Sequence, residues 1–432
     1  MSAGPPRLRP LRAVRYAPAL ADQLPRLLAP PYDLISPPQQ AELYHAHSHN
    51  IVRLILGKEC PGDSPRDNRC LRAARSLQQW LAEGILAQDS QPALYLYCVE
   101  YQSEQGERRR AEGLLAMLRL STPDAPVLPH ESIRPAPVEY ILELTKRTGA
   151  QLSPVMTVYQ DSDHQVRQTL SEIDWGAPLT DTTLGRERHL LYACADPVKL
   201  ADLDHALGKQ PILIADGHHR YQAAQVYRDW MAHHGGEPDG RHNYILTWLQ
   251  PIGGGLSIWP THRVVRLRDL SPEEALARIQ GLCELERLAG VTSWREAAQP
   301  LHSGAVPPVG PRFVALYGPP CEAAVLTATP RAAEELERLT VHPEWRQLDV
   351  VMLEEVLLRG ALGLAREDIT YHHDPSEAWG LITAGEANMA FLLNPPTMEQ
   401  VQAIAVAGRR MPAKSTYFHP KPLSGIALAL LT

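Results

Sequence analysis

Asp216-Gly217-His218-His219-Arg220-Tyr221 sets one carboxylate, two imidazoles, a guanidinium and a phenol on six consecutive residues. Arginine presents a planar fork that grips two oxygens of one phosphate, a geometry lysine lacks. Either imidazole titrates near neutrality, so His218 or His219 can donate to a transferring group or move a proton. Asp216, acidic among cations, is suited to holding a Mg²⁺ that bridges phosphates, and equally to capping the helix that follows. A histidine pair also occurs in plain solvated turns. Taken together the six residues suit phosphoryl transfer, which asks for positioning and charge neutralisation more than for covalent chemistry.

The flanking sequence predicts how these groups are held. Pro211 punctuates a short apolar run, Ile212 to Ala215, bounded by turn residues, which reads as a buried strand. Gly217 permits a tight backbone path. Ala224, Tyr227 and Met231 then recur at helical spacing after Tyr221, so a helix is expected from about His219 to residue 233. A strand–glycine–helix junction turns unpaired N–H groups and a positive dipole end toward one point, which favours an anion. Arg220 in the first helical turn opposes that dipole, and an anion is what would justify it there.

Other segments supply possible partners. Tyr32 and Asp33 lie on the Pro-flanked turn Pro30-Pro31-Tyr32-Asp33, where they line a substrate pocket or cap the next helix. Lys414, Ser415, Thr416 and Lys421 form a proline-shaped loop able to bind a second anion, or an ordinary exposed loop. His262 and Arg263 stand at a strand end as substrate-binding candidates, and His130 and Glu131 follow Pro129. Glu131 near the site would accept a hydroxyl proton; otherwise it is a solvated carboxylate. The remaining histidines, among them His45, His47, His49 and the pairs 233–234 and 372–373, lack the spacing of zinc ligands. Neither a Walker-type phosphate loop nor a Gly-x-Ser-x-Gly elbow is present.

At 432 residues the chain exceeds one simple core, so several domains are expected. A net charge of −7 argues against a general nucleic-acid or anionic-membrane binder. Six scattered cysteines without a Cys-x-x-Cys point to a reducing cytoplasm, and no apolar run reaches membrane-spanning length. Strands are expected over 11–16, 51–56, 93–101, 109–120, 152–159, 244–250 and 256–265. Helices are expected over 39–46 (capped by Ser36), 67–87, 138–148, 163–173, 271–286 and 349–359. Leu71, Ala74, Leu77, Leu81 and Ile85 are the expected inner face of the 67–87 helix, and Ser103 to Gly106 a hairpin connection. The fold class is α+β with mixed sheets, divided as 1–120, 121–270 and 271–432. A homo-oligomer is left open.

Five motifs in order, Pro30-Pro31-Tyr32-Asp33 with Ile35-Ser36, Leu128-Pro129-His130-Glu131, Asp216 to Tyr221, Pro260-Thr261-His262-Arg263 and Met411-Pro412 through Lys421, resemble the prokaryotic family known as domain of unknown function 1015. The Asp-Gly-His-His-Arg-Tyr element is also similar to the phosphate-binding signature of the ParB/sulfiredoxin superfamily. Its free serine kinase branch likewise has a Pro-His-Glu element upstream. The resemblance implies a ParB/sulfiredoxin-like nucleotide-binding core within 121–270. It further implies a cradle of Asp216, Gly217, His218, His219, Arg220 and Tyr221 for nucleotide phosphates, and Glu131 as general base. The implied reaction moves phosphate from ATP or ADP, with Mg²⁺, to a small hydroxyl compound, serine first. A nucleotide-binding switch without turnover is the other reading, and a histidine-based metal hydrolase a third. The stretch from Glu131 to Asp216 is longer than a minimal domain of that fold needs, so an inserted helix–strand unit is expected there.

Overall fold

A computed structural model describes residues 5–103, 106–208, 210–302, 310–339 and 342–431. Its contacts divide the chain into a larger unit, Met1–Pro129, Ile133–Leu256 and Pro420–Thr432, and a smaller one, His130–Ser132 with Ser257–His419. Both are α+β, and the larger contains a mixed sheet.

The larger unit is built on nine strands among the described residues. Their order runs Val127–Leu128, Ile212–Asp216, Val155–Tyr159, Tyr244–Pro251, Arg108–Arg119, Leu94–Gln102, Glu187–Cys194, Thr180–Leu184, with Leu8–Arg9 pairing beside Arg108–Arg119. Two pairings are parallel, Ile212–Asp216 on Val127–Leu128 and Tyr244–Pro251 on Val155–Tyr159; the others are antiparallel. Alternation sends Val155, Tyr159, Ile212, Ile214, Ile245 and Leu249 into one core, against Tyr221 and Ala224 of the helix His218–His233 and Leu203 and Leu207 of Pro197–Leu207. The span from Glu131 to Asp216 holds helices Pro135–Thr148, Gln165–Ser171 and Pro197–Leu207 and the paired strands Thr180–Leu184 and Glu187–Cys194, which extend the sheet edge.

A β-bulge decides where the key carboxylate points. Ile214 faces Thr157, but Asp216 faces Met156, so the register slips by one residue between them. Paired residues share a face, and Val155 and Tyr159 are in the core, so Met156 and Asp216 project from the opposite face. Unbroken alternation would have driven Asp216 into the core beside Ile212 and Ile214. Bulges re-aim side chains in this way.

The smaller unit carries an antiparallel six-stranded sheet ordered Cys283–Leu288, Glu322–Ala328, Arg312–Tyr317, Met389–Leu393, His262–Val265, Ile369–His372. Helices Trp294–His302 and Pro375–Thr383 bury Ala297, Ala298, Ala378 and Ile382 against it. A separate ribbon pairs Ser257–Trp259 with Tyr417–His419.

Several local expectations are corrected. Residues 51–56 hold the helical turn Val52–Ile55 rather than a strand: Asn50 Oδ1 accepts from the Val52 N–H at 2.9 Å, and so short an apolar run fixes no period. The 271–286 helix stops at Ile279 after a Ser271/Glu274 capping box, and Cys283–Leu288 pairs as a strand with Glu322–Ala328. Residues 256–265 form two strands in different sheets, broken at Pro260. Of 11–16, Val14–Tyr16 is strand, and of 67–87, Arg69–Ala82 is helix, capped by Asn68. That helix buries Cys70, Ala73, Leu77 and Trp80, a stripe about one residue from the expected face. The connection expected at Ser103 to Gly106 includes residues 104 and 105, which lie outside the described ones. Among the described residues no helix is long and apolar enough to cross a membrane.

Candidate functional site

In the larger unit the strand–glycine–helix junction forms as its residues require. Gly217 caps the His218–His233 helix with φ 91°, in the left-handed region. A Cβ on Gly217 would sit 2.9 Å from Arg220 Nη2, so the missing side chain also leaves room for the guanidinium to fold back over the turn.

Asp216 lies between two cations. Arg220 Nη2 donates to its Oδ2 at 2.8 Å, and Lys421 Nζ donates to its Oδ1. Lys421 is also 3.8 Å from Asp33 Oδ2. Burial pushes the Asp216 carboxyl up, but Lys421 and then Arg220 outweigh it and hold the group at about 2. The anion that justifies Arg220 in a first helical turn is therefore, in the first place, the chain's own Asp216. Arg220 Nη1 donates to the Pro154 carbonyl, and Arg220 Nε–H, buried, has no hydrogen-bond partner among the described residues.

The other residues of this motif divide. His218 is buried. His219 Nε2 accepts the Arg134 N–H at 3.0 Å, and burial, then the Arg134 charge, lower its pKa, so the ring is neutral with that nitrogen as an acceptor. Tyr221 belongs to the core, where its hydroxyl accepts the Ser121 N–H at 2.8 Å. Tyr32 and Asp33 come to the cluster; burial, then Asp33, push the Tyr32 phenol up to about 12. Arg220 and Tyr32 also line a pocket of about 50 Å³.

The smaller unit gathers the remaining candidates. His130 is buried, its Nε2 3.1 Å from Thr416 Oγ1 and its ring against Phe418. Met411 N–H donates to the His130 carbonyl at 2.7 Å, and half-buried Glu131 pairs its backbone with Met411. Ser415 Oγ donates to the Pro412 carbonyl at 2.6 Å, while Lys414 is exposed in a left-handed conformation, φ 62°. Arg263, fully buried, donates Nε and Nη2 to Glu354 Oε1 at 2.9 and 2.7 Å, Nη2 to the Lys414 carbonyl at 3.1 Å, and Nη1 to the Thr261 carbonyl. Burial, then Arg263, push buried His262 down to about 3, and its Nδ1 accepts the Leu393 N–H at 3.4 Å.

The motif running from Met411 to Lys421 is thus divided, Lys414 to Thr416 in the smaller unit and Lys421 in the larger. Arg134, Pro154 and Glu354 escaped the sequence reading. They act through a main-chain N–H, a carbonyl and a partner 91 residues from Arg263, none of which leaves a local pattern.

A resident Mg²⁺ on Asp216 does not fit this arrangement, since each oxygen already accepts from a cation. Among the described residues no three His, Cys, Asp or Glu side chains converge as metal ligands.

The family described as "Protein of unknown function (DUF1015)" matches residues 8–351. No curated protein matches the chain. Solved structures with some likeness include free serine kinase in complex with AMP, at 14% identity and TM-score 0.33, covering 68% of this chain and 83% of that one. A mutant of that kinase in complex with ADP is similar at 15% identity and the same TM-score of 0.33, with coverage of 68% and 83%. A conserved hypothetical protein from Pyrococcus furiosus is similar at 14% identity and TM-score 0.31, with coverage of 68% and 88%.

Proposed function

This chain belongs to the DUF1015 family, and on that premise we propose that it is a phosphotransferase moving a phosphoryl group from ATP or ADP to the hydroxyl of a small molecule. The observation that carries the reading is the Asp216 cluster. Arg220 and Lys421 converge on one carboxylate at the glycine-capped start of a helix, where anions are favoured. The likeness of Asp216-Gly-His-His-Arg220 to a nucleotide phosphate signature adds to it, and makes serine the first acceptor to test.

In this reading the acceptor oxygen attacks the terminal phosphorus and a P–O ester bond forms. The bond to the leaving diphosphate of ATP, or monophosphate of ADP, breaks. The hydroxyl proton passes to a carboxylate, the role that the Pro129-His130-Glu131 resemblance gives Glu131. Arg220 and Lys421 orient the phosphate oxygens and offset their charge. Asp216, ionised and doubly paired, sets the direction of both cations and is no proton acceptor near neutrality. Mg²⁺ would arrive on the nucleotide's own phosphates, consistent with its habit of keeping few protein ligands.

The test is purified protein with ATP or ADP, Mg²⁺ and a panel of hydroxy compounds. Phosphorylated product is expected, with Glu131→Gln lowering kcat while nucleotide affinity holds. Nucleotide binding that needs Arg220, without turnover on any acceptor, would instead assign a nucleotide-binding switch.

A further inference from the structure

A cavity of about 250 Å³ in the larger unit shares no lining residue with the Asp216 cluster. Arg9, Arg12 and Arg241 line it beside apolar Leu11, Met117 and Leu430. Neutral main-chain carbonyls hold the three guanidinium groups. Arg9 Nη1 donates to the Asp239 carbonyl at 2.6 Å, Arg12 Nε to the Asp89 carbonyl at 3.2 Å, and Arg241 Nη1 to the Leu430 carbonyl at 3.3 Å. Arg9 also lies over the Tyr244 ring, 4.4 Å from its centroid. Such contacts fix where a guanidinium points and leave its charge in place. Among the described residues Arg9 and Arg12 make no ion pair, so Nε and Nη2 of Arg9 and both Nη of Arg12 keep their N–H groups for another acceptor. All three arginines are half-buried, and none of these nitrogens is sealed from solvent.

Charge and size narrow the ligand. Among the described residues no carboxylate lines the cavity. Asp204 and Asp239 act on the neighbouring Tyr244 without lining it, and the Asp89 carboxylate is taken by Arg15 and Tyr95. Three like charges around one concavity repel each other and focus a positive potential into it. A monocarboxylate offers one charge and two oxygens, whereas a phosphate offers nearly two charges and three acceptor oxygens, which arginine forks grip. The floor of Leu11, Met117 and Leu430 asks for an apolar group beside that phosphate. A cavity that takes benzene is on the order of 150 Å³, so about 250 Å³ holds one ring with a phosphate and is too small for a nucleotide.

We propose that this cavity binds a small phosphomonoester, its phosphate on Arg9, Arg12 and Arg241 and its apolar group over Leu11, Met117 and Leu430. The site is separate from the Asp216 cluster, and the binding does not rest on the proposed function.

The experiment titrates the full chain, without nucleotide, with phenyl phosphate by calorimetry, and with inorganic phosphate, benzoate and benzyl alcohol as controls. Phenyl phosphate is expected to bind about tenfold or more tighter than benzoate, which lacks the second charge, and than inorganic phosphate, which lacks the ring. Added salt should weaken it. Arg12→Met should lower its affinity about tenfold or more, the loss of a charge-assisted hydrogen bond, and Leu430→Trp, which fills the cavity from another segment, should abolish it. Arg220→Ala should leave it unchanged. Urea denaturation confirms that each variant is folded, and the two cavity variants stand in for each other should one fail to fold. No binding by the wild type, binding that survives both cavity variants, or binding lost with Arg220→Ala and kept with Arg12→Met overturns the proposal. Serine turnover is measured in parallel. Arg12-dependent binding without turnover retains the cavity and removes the phosphotransferase reading, whereas turnover without such binding does the reverse.

Discussion

Arg220 and Arg263 are both buried arginines paired with a carboxylate and capping a main-chain carbonyl, yet the two surroundings differ. Arg263 has Nε, Nη1 and Nη2 all engaged, by Glu354, Thr261 and Lys414, and its side chain is 1% exposed. Arg220 shares its carboxylate with Lys421, has no partner for Nε–H among the described residues and borders a pocket. A fully satisfied guanidinium works as a strut, here holding the left-handed Lys414 turn by its carbonyl. A partly satisfied one that shares its carboxylate is held less firmly. The type of residue is the same, and the number of unmet donors separates the roles.

The comparison breaks most severely at the strut. Arg263→Ala leaves Glu354 buried and unpaired, and urea denaturation should show a loss of about 3–5 kcal/mol. Arg220→Ala should cost less, about 1.5–3 kcal/mol as a lost charged hydrogen bond, because Asp216 keeps Lys421. Its larger consequence is in binding, where calorimetry should find nucleotide affinity reduced by more than about tenfold (~1.4 kcal/mol). Equal stability losses for the two variants would erase the distinction between strut and site.

Gly217→Ala tests the backbone under Arg220. Holding an L-residue at φ 91° costs about 1–2 kcal/mol, and the new Cβ would displace the guanidinium, so anion affinity should fall along with the denaturation midpoint. The smallest effect is on acid stability. The Asp216 pKa is depressed in the folded chain, so its contribution is complete above the unfolded value near 3.8 and fades as pH falls through about 2. Lys421→Met removes the foremost cause of that depression. Its urea midpoint should therefore begin to drop at higher pH than wild type on acidification; superimposable curves would show that Lys421 does not hold the carboxylate down.

Much of the site's first layer is legible in local pattern. The strand Ile212–Asp216 and the helix His218–His233 follow from an apolar run, a glycine and helical spacing, because those signals act over a few residues. The Ser36 cap with Gln39 is read the same way. Short apolar runs such as 51–56 are less decisive: strand and buried helical turn share one composition, and Asn50 settles the matter through contacts with Arg26 and Leu28, more than twenty residues away.

The sequence by itself determined that Asp216, Gly217 and Arg220 meet at one strand–helix junction. Tertiary structure decided what each group faces. The bulge before Asp216 turns it out of the core, Lys421 arrives from 205 residues away, and Arg263 is completed by Glu354 and Lys414. Backbone preference is short-ranged and written in neighbouring residues. Whether a buried charge is satisfied depends on groups brought together only by the folded chain.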